Sequence, residues 1–197
     1  MTSRPTTAMV LAAGLGTRMR PLTARVPKPM IRLGGRPLVD HVLDRLQAAG
    51  IRRAVVNVHY LADVLEAHLA TRRVPEIAIS DERGVLLDTG GGVVRALPLL
   101  GDAPFVIHNS DSVWIEGAGS NITRLLDAWD SERMDGLLLV ALAARSLGYD
   151  GHGDFDMDAD GRLWRRRKGA TAPLVFAGVS IAHPRLCSGS PEGAFSL

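Results

Sequence analysis

Cysteine is nearly absent: Cys187 is alone in 197 residues, so no disulfide closes within the chain and a reducing compartment suits it. Aromatic residues make up only 5% and are not interleaved with the basic ones, which removes the stacking platform a nucleic-acid binder needs. No apolar run is long enough to span a membrane. The N-terminus Met1-Thr2-Ser3-Arg4-Pro5 lacks the apolar stretch of an export signal ahead of its glycines. Neither nucleic acid nor a membrane is therefore expected as a partner, and the cytoplasm is the expected location. Lysine is scarce too, with Lys28 and Lys168 the two among 23 basic residues.

What is present is ordinary globular material, 46% apolar and 22% charged, enough for one domain with a sizeable core. No repeat, low-complexity tract or separating linker interrupts it. Residues 1–197 read as one domain. The net charge of +2 is unevenly spread: residues 1–53 set many arginines and Lys28 against Asp40 and Asp44, while residues 54–161 are acidic. That distribution suits a site holding phosphates and a divalent cation together; two solvated faces of opposite sign would also produce it.

Strand-like and helix-like segments alternate. Residues 8–12 form a continuous apolar run, as in a strand buried on both faces. Over 38–49 the apolar residues recur at helical spacing until Gly50. Residues 53–58, 76–80 and 105–109 read as strands, and 61–70 and 122–130 as helices. A helix over 93–100 is expected to be disrupted by Pro98. Later, 137–143 and 173–181 are strands, and Asp158-Ala159-Asp160-Gly161-Arg162 is a turn between two more. The fold class expected is α/β: a Rossmann-like, doubly wound mixed sheet flanked by helices, with a β-rich extension in the C-terminal part.

Ligands of such sheets sit beyond the carboxyl ends of the strands, and four polar features fall there. In the first, Leu11-Ala12-Ala13-Gly14-Leu15-Gly16-Thr17-Arg18, an apolar run ends in a loop whose glycines let backbone N–H groups approach an anion, and Arg18 and Lys28 add charge. A plain tight turn explains many such loops. The second is Asn57-Val58-His59-Tyr60. In the third, Asp88-Thr89-Gly90-Gly91-Gly92, a turn opening an apolar helix, the glycines imply close approach of something flat or bulky, a nucleobase being one candidate and a surface hinge another. In the fourth, Asn109-Ser110-Asp111, Asp111 stands where Mg²⁺ would share phosphate oxygens, or else the three cap a turn.

Taken together these stretches, with Pro21-Leu22-Thr23, Pro27-Lys28-Pro29, Gly35-Arg36-Pro37-Leu38 and Phe176-Ala177-Gly178-Val179, resemble the sugar-1-phosphate nucleotidyltransferases over nearly the whole chain. Asp88-Thr89-Gly90-Gly91-Gly92 and the run from Phe176 to Arg185 look most like the family's N-acetylmuramate 1-phosphate uridylyltransferase branch, of peptidoglycan recycling. Mannose-1-phosphate guanylyltransferases share much of the pattern, and catalytically silent nucleotide-sugar-binding subunits use the same fold.

The resemblance implies a nucleoside triphosphate and a sugar 1-phosphate as partners, Mg²⁺ as cofactor, and within the one domain a nucleotide half over about 1–115 and a sugar-binding half over about 116–197. It implies that Leu11, Ala12, Ala13, Gly14, Gly16, Thr17 and Arg18 surround the nucleotide, with Arg18 on the departing phosphates. Lys28 would lie between the two reacting phosphates and Asp111 would hold the metal; Glu82, Thr89 and Gly90 would border the base. Asn109, Gly153, Ala177 and Gly178 would face the sugar. It further implies a helix and a second metal carboxylate beyond Leu197. Where relatives carry an acidic sugar-binding residue this chain has Arg165-Arg166-Arg167-Lys168, either a partner for a sugar carboxylate or a solvated basic turn. The oligomeric state is left open.

Overall fold

The computed structural model describes residues 4–197; residues 1–3, where the absence of an export signal was partly read, lie outside it. Strand β1 (Thr7–Leu11) leads through three short 3₁₀ turns and the small hairpin β2 (Arg32–Leu33) and β3 (Arg36–Pro37) into helix α1 (Leu38–Ala48). Next come β4 (Arg53–Val58), α2 (Ala62–Leu69), β5 (Glu76–Asp81), α3 (Asp88–Leu100), β6 (Phe105–Asn109) and α4 (Asn121–Ala128). The last third is strands: β7 (Gly136–Leu142), β8 (Phe155–Met157), β9 (Leu163–Arg165) and β10 (Leu174–Ala182).

One eight-stranded sheet carries the fold in the order β5-β4-β1-β6-β10-β8-β9, with β7 also on β10. Its first four strands are parallel, and β10 runs antiparallel to both β6 and β7. The chain winds outward from β1 to β5, then returns to lay β6 on the other side of β1. The loops after β1 and β6 therefore meet at a switch in strand order, where α/β sheets place ligands.

The helices form because their apolar positions recur at 3.6-residue spacing. In α1, Leu38, Val39, Val42, Leu43 and Leu46 are buried, each such side chain contributing about 1.5–3 kcal/mol. Gly50, at φ +93°, ends it by turning its N–H back to the Gln47 carbonyl at 2.9 Å. Helices α1, α2 and α4 cover one face of the sheet, and α3 covers the other over Met9, Val55, Phe105 and Ile107. No helix among the described residues is long and apolar enough to cross a membrane.

Two expectations need correction. The glycines at 90–92 are not a turn ahead of the helix: α3 begins at Asp88 and they lie in its first turns. Nor does Pro98 break it. The helix runs on to Leu100, because a proline this near the end costs one carbonyl its donor, and Gly101 at φ +83° stops it.

Candidate functional site

Leu11 and Asn109 are register partners at the carboxyl ends of β1 and β6, and the Ser110 N–H donates to the Leu11 carbonyl at 3.1 Å. The loops that follow thus leave the sheet at one level and enclose a cavity of about 440 Å³, the size range of small-ligand sites. Leu11, Ala12, Ala13, Gly14 and Lys28 form one wall, Asn109, Ser110 and Asp111 the facing one, and Leu86, Asp88 and Thr89 the third side. Across it the Lys28 ammonium pairs with the Asp111 carboxylate, both about one-quarter to one-third exposed.

The loop after β1 is held from below. Asn57, 2% exposed, accepts from the Ala12 N–H at 2.6 Å and donates to Glu82 Oε1 at 2.8 Å. Glu82, 1% exposed, accepts with its other oxygen from the Leu87 N–H at 3.4 Å. A Cβ at Gly92 would lie 2.8 Å from that carboxylate and 2.9 Å from the Asn57 amide nitrogen, so α3 reaches this pair only through a glycine. Farther along, Gly16 (φ +62°) is pinned by the buried Thr23 hydroxyl, which donates to its carbonyl at 2.8 Å.

Other expected residues stand off the wall. Gly16 to Arg18 continue past the cavity, with Arg18 exposed on the turn Thr17–Met19 and in no ion pair among the described residues. Glu82 lies behind the wall, not beside the cavity. What presses on the glycine cluster is the chain's own tail: a Cβ at Gly90 would overlap the Phe195 ring and one at Gly91 the Gly193 carbonyl. The Gly90 N–H donates to the Phe195 carbonyl at 2.8 Å, and the Phe195 N–H to the Leu87 carbonyl at 3.2 Å.

Of the residues expected to face a sugar, Asn109 lines the cavity. Gly178 (φ +81°) sits in a break of register between β10 and β7, and a Cβ there would overlap Ser112, immediately after Asp111. Ala177 is its half-buried neighbour. Gly153 is buried against the Ala172 carbonyl, away from the wall. Of the basic run, Arg166 is committed, donating to the carbonyls of Gly153 and Ala170 at 2.9 Å, while Arg165 donates to the Leu197 main-chain oxygen at 3.1 Å. Leu197 in turn donates to Thr89 Oγ1 at 2.9 Å, on the cavity edge.

Asn57, from the second of the four expected polar features, lines the cavity; that it bridges Ala12 to Glu82 follows only from the fold, since a buried amide must find partners. Ala194 lines the cavity from the far end of the chain and had no signal at all.

For a metal, the described residues contain no cluster of three or more His, Cys, Asp or Glu side chains, which argues against a zinc-like cage. Asp111, with Asp88 on another side of the same cavity, fits Mg²⁺ instead, which takes one or two carboxylates and fills its shell with water and phosphate oxygens.

Comparison with known proteins gives the family and the fold. The family described as Nucleotidyl transferase matches residues 7–153. The N-acetylmuramate alpha-1-phosphate uridylyltransferase of Caulobacter vibrioides is 50% identical over 201 residues, covering 100% of this chain and 83% of its own. The Neisseria meningitidis protein of the same name is 34% identical over 191 residues, covering 95% and 79%. The solved inositol-1-phosphate CTP transferase of T. maritima shares the fold, with a TM-score of 0.80 at 20% identity over 100% of this chain and 79% of that one.

Proposed function

Because this chain belongs to the nucleotidyl transferase family, we propose that it transfers a uridylyl group from UTP to N-acetylmuramate 1-phosphate, releasing pyrophosphate. The observation that carries the reading is the Lys28–Asp111 pair, set across one cavity from the loops after β1 and β6. A sugar phosphate is already an anion at neutral pH, so its oxygen attacks the α-phosphorus without a general base, and the phosphorus–oxygen bond to pyrophosphate breaks. What the protein must do is hold two mutually repelling anions in line and offset the charge that develops.

Lys28 suits the place where the two phosphates meet, since an ammonium is a compact point charge with three donors. With Lys28 turned toward the phosphates, Asp111 would be the carboxylate that holds Mg²⁺. The ion would supply positive charge to the phosphate oxygens. Arg18, exposed and unpaired among the described residues, is free to close on the departing phosphates. Thr89 and Leu86 are the parts of the third side left open to a base. Muramate differs from glucosamine by a lactyl carboxylate, and with Arg166 committed the cation of the basic run linked to the cavity edge, through Leu197 and Thr89, is Arg165. The reading places the chain in the cytoplasm, in peptidoglycan recycling.

The test is pyrophosphate release from a panel of nucleoside triphosphates against a panel of sugar 1-phosphates. The expected pattern is turnover of UTP with N-acetylmuramate 1-phosphate above all other pairs. Preference for GTP with mannose 1-phosphate would move the chain to another branch of the family. Binding of UTP with no release from any pair would make it a silent nucleotide-sugar-binding module.

A further inference from the structure

Trp114 carries two other planar groups on its indole. The His108 ring stacks on it, with centroids 5.6 Å apart and planes 12° from parallel. The Arg45 guanidinium lies 4.5 Å from its centroid and also donates to its main-chain carbonyl. His108 is the penultimate residue of β6 and Arg45 stands in the last turn of α1. The stack therefore ties both ends of the segment 108–114 to each other and to α1. Between those ends the chain is a turn followed by irregular backbone, and Asp111 is at its middle.

This arrangement is costly as packing. Arg45 Nη1, His108 Nε2 and Trp114 Nε1 are all buried without hydrogen-bond partners among the described residues. Apolar side chains of similar volume would fill the space with no orphaned donor or acceptor. What the polar stack gives instead is direction: a guanidinium lays its flat face on an indole while its N–H edge binds a carbonyl, which neither leucine nor lysine does.

We infer that Arg45 is a positioning residue for the transfer reaction, fixing through Trp114 and His108 the turn that presents Asp111 to Lys28 and the cavity. The inference rests on the reading of Asp111 as the residue that holds Mg²⁺. Arg45 touches neither substrate nor the cavity wall; it acts through the backbone of the segment it clamps.

The experiment compares Arg45→Met, Arg45→Lys and Asp111→Asn with the unaltered protein, and takes Gln47→Ala, exposed on the same helix, as the control. Two quantities are read: amide hydrogen exchange over residues 109–114, and the Mg²⁺ concentration giving half-maximal pyrophosphate release. For Arg45→Met, exchange in that segment should quicken at least about tenfold while β1 and β4 stay protected. The Mg²⁺ requirement should rise about tenfold, the scale on which residues behind a metal ligand act, with kcat at saturating Mg²⁺ nearly unchanged. Arg45→Lys should recover part of both, since an ammonium still lies on the ring. Faster exchange or a lower Tm with an unmoved Mg²⁺ requirement overturns the inference and leaves Arg45 a structural residue. An unmoved Mg²⁺ requirement in Asp111→Asn overturns it for a separate reason, the failure of the Asp111 reading itself.

Discussion

Replacing Asn57 by alanine tests whether the loop after β1 is held as described. The change removes the acceptor of the Ala12 N–H, which is 4% exposed, and one donor to the Glu82 carboxylate, which is 1% exposed. An orphaned buried amide costs about 1–3 kcal/mol and a lost hydrogen bond to a buried charge about 1.5–3, so the loss of stability should be about 4 kcal/mol. Against a typical total of about 5–15 kcal/mol that is a large fraction. Urea denaturation should show the midpoint falling by about 1.5–2 M at unchanged slope, with a slope near 2–2.5 kcal/mol/M for a chain of this size. Asn57→Asp adds a check on cause. It keeps an acceptor for Ala12 but sets a second carboxylate against Glu82, so one of the two must have its folded-state pKa raised. A raised carboxyl pKa destabilises above the unfolded value, and the deficit shrinks as pH falls toward it. Asn57→Asp should therefore approach the unaltered protein between pH 7 and pH 5. A loss under 1 kcal/mol in Asn57→Ala, or a deficit in Asn57→Asp that grows in acid, would refute the bridge.

Four further outcomes follow from the same geometry. Lys28→Ala should lower kcat by about 10²–10³ while calorimetric UTP affinity changes only a few-fold; equal loss in both would make Lys28 a nucleotide anchor only. Burial lowers the His108 pKa from 6.5 to about 4. The unfolded chain then takes up this proton first on acidification, so stability is complete above pH 6.5 and falls by about 3 kcal/mol on the way to pH 4; His108→Leu should flatten that limb of a stability–pH curve. Gly178→Ala, at φ +81° and against Ser112, should cost about 1–3 kcal/mol and raise KM for the sugar phosphate more than for UTP in steady-state assays. Arg165→Glu should cut kcat/KM for the muramate phosphate about tenfold or more and spare the glucosamine phosphate; an equal change in both would make the basic run a solvated turn.

Much of this fold was legible because burial leaves a periodic trace. The apolar runs of β1, β4 and β6 and the i, i+4 spacing of α1 needed no tertiary information, and they put the residues around Leu11 and Asn109 at one sheet edge. The turn at 158–162 was equally local: the Asp158 carboxylate accepts from the N–H groups of Asp160 and Arg162. Contacts over long sequence separations left no such trace. Nothing near Arg45 announces Trp114, 69 residues away, and nothing near Thr89 announces Leu197, 108 residues away.

The glycine cluster shows how local reading and tertiary packing part company. Three glycines in a row favour a turn by propensity, since each costs about 1 kcal/mol in a helix relative to alanine. They are helical here because each faces a close neighbour: Gly90 the Phe195 ring, Gly91 the Gly193 carbonyl, Gly92 the Asn57–Glu82 pair. The expectation of something flat against the backbone was sound in its physics, and Phe195 is flat. Its main chain also presents what a base edge presents, an acceptor for the Gly90 N–H beside a donor for the Leu87 carbonyl. With those groups engaged by residues 193–195, the proposed function leaves Thr89 and Leu86 on the cavity wall for a base. On the proposed reading Glu82 would act on the nucleotide from behind, by fixing Asn57 and through it the Ala12 amide, and its effect on UTP affinity should track that of Asn57.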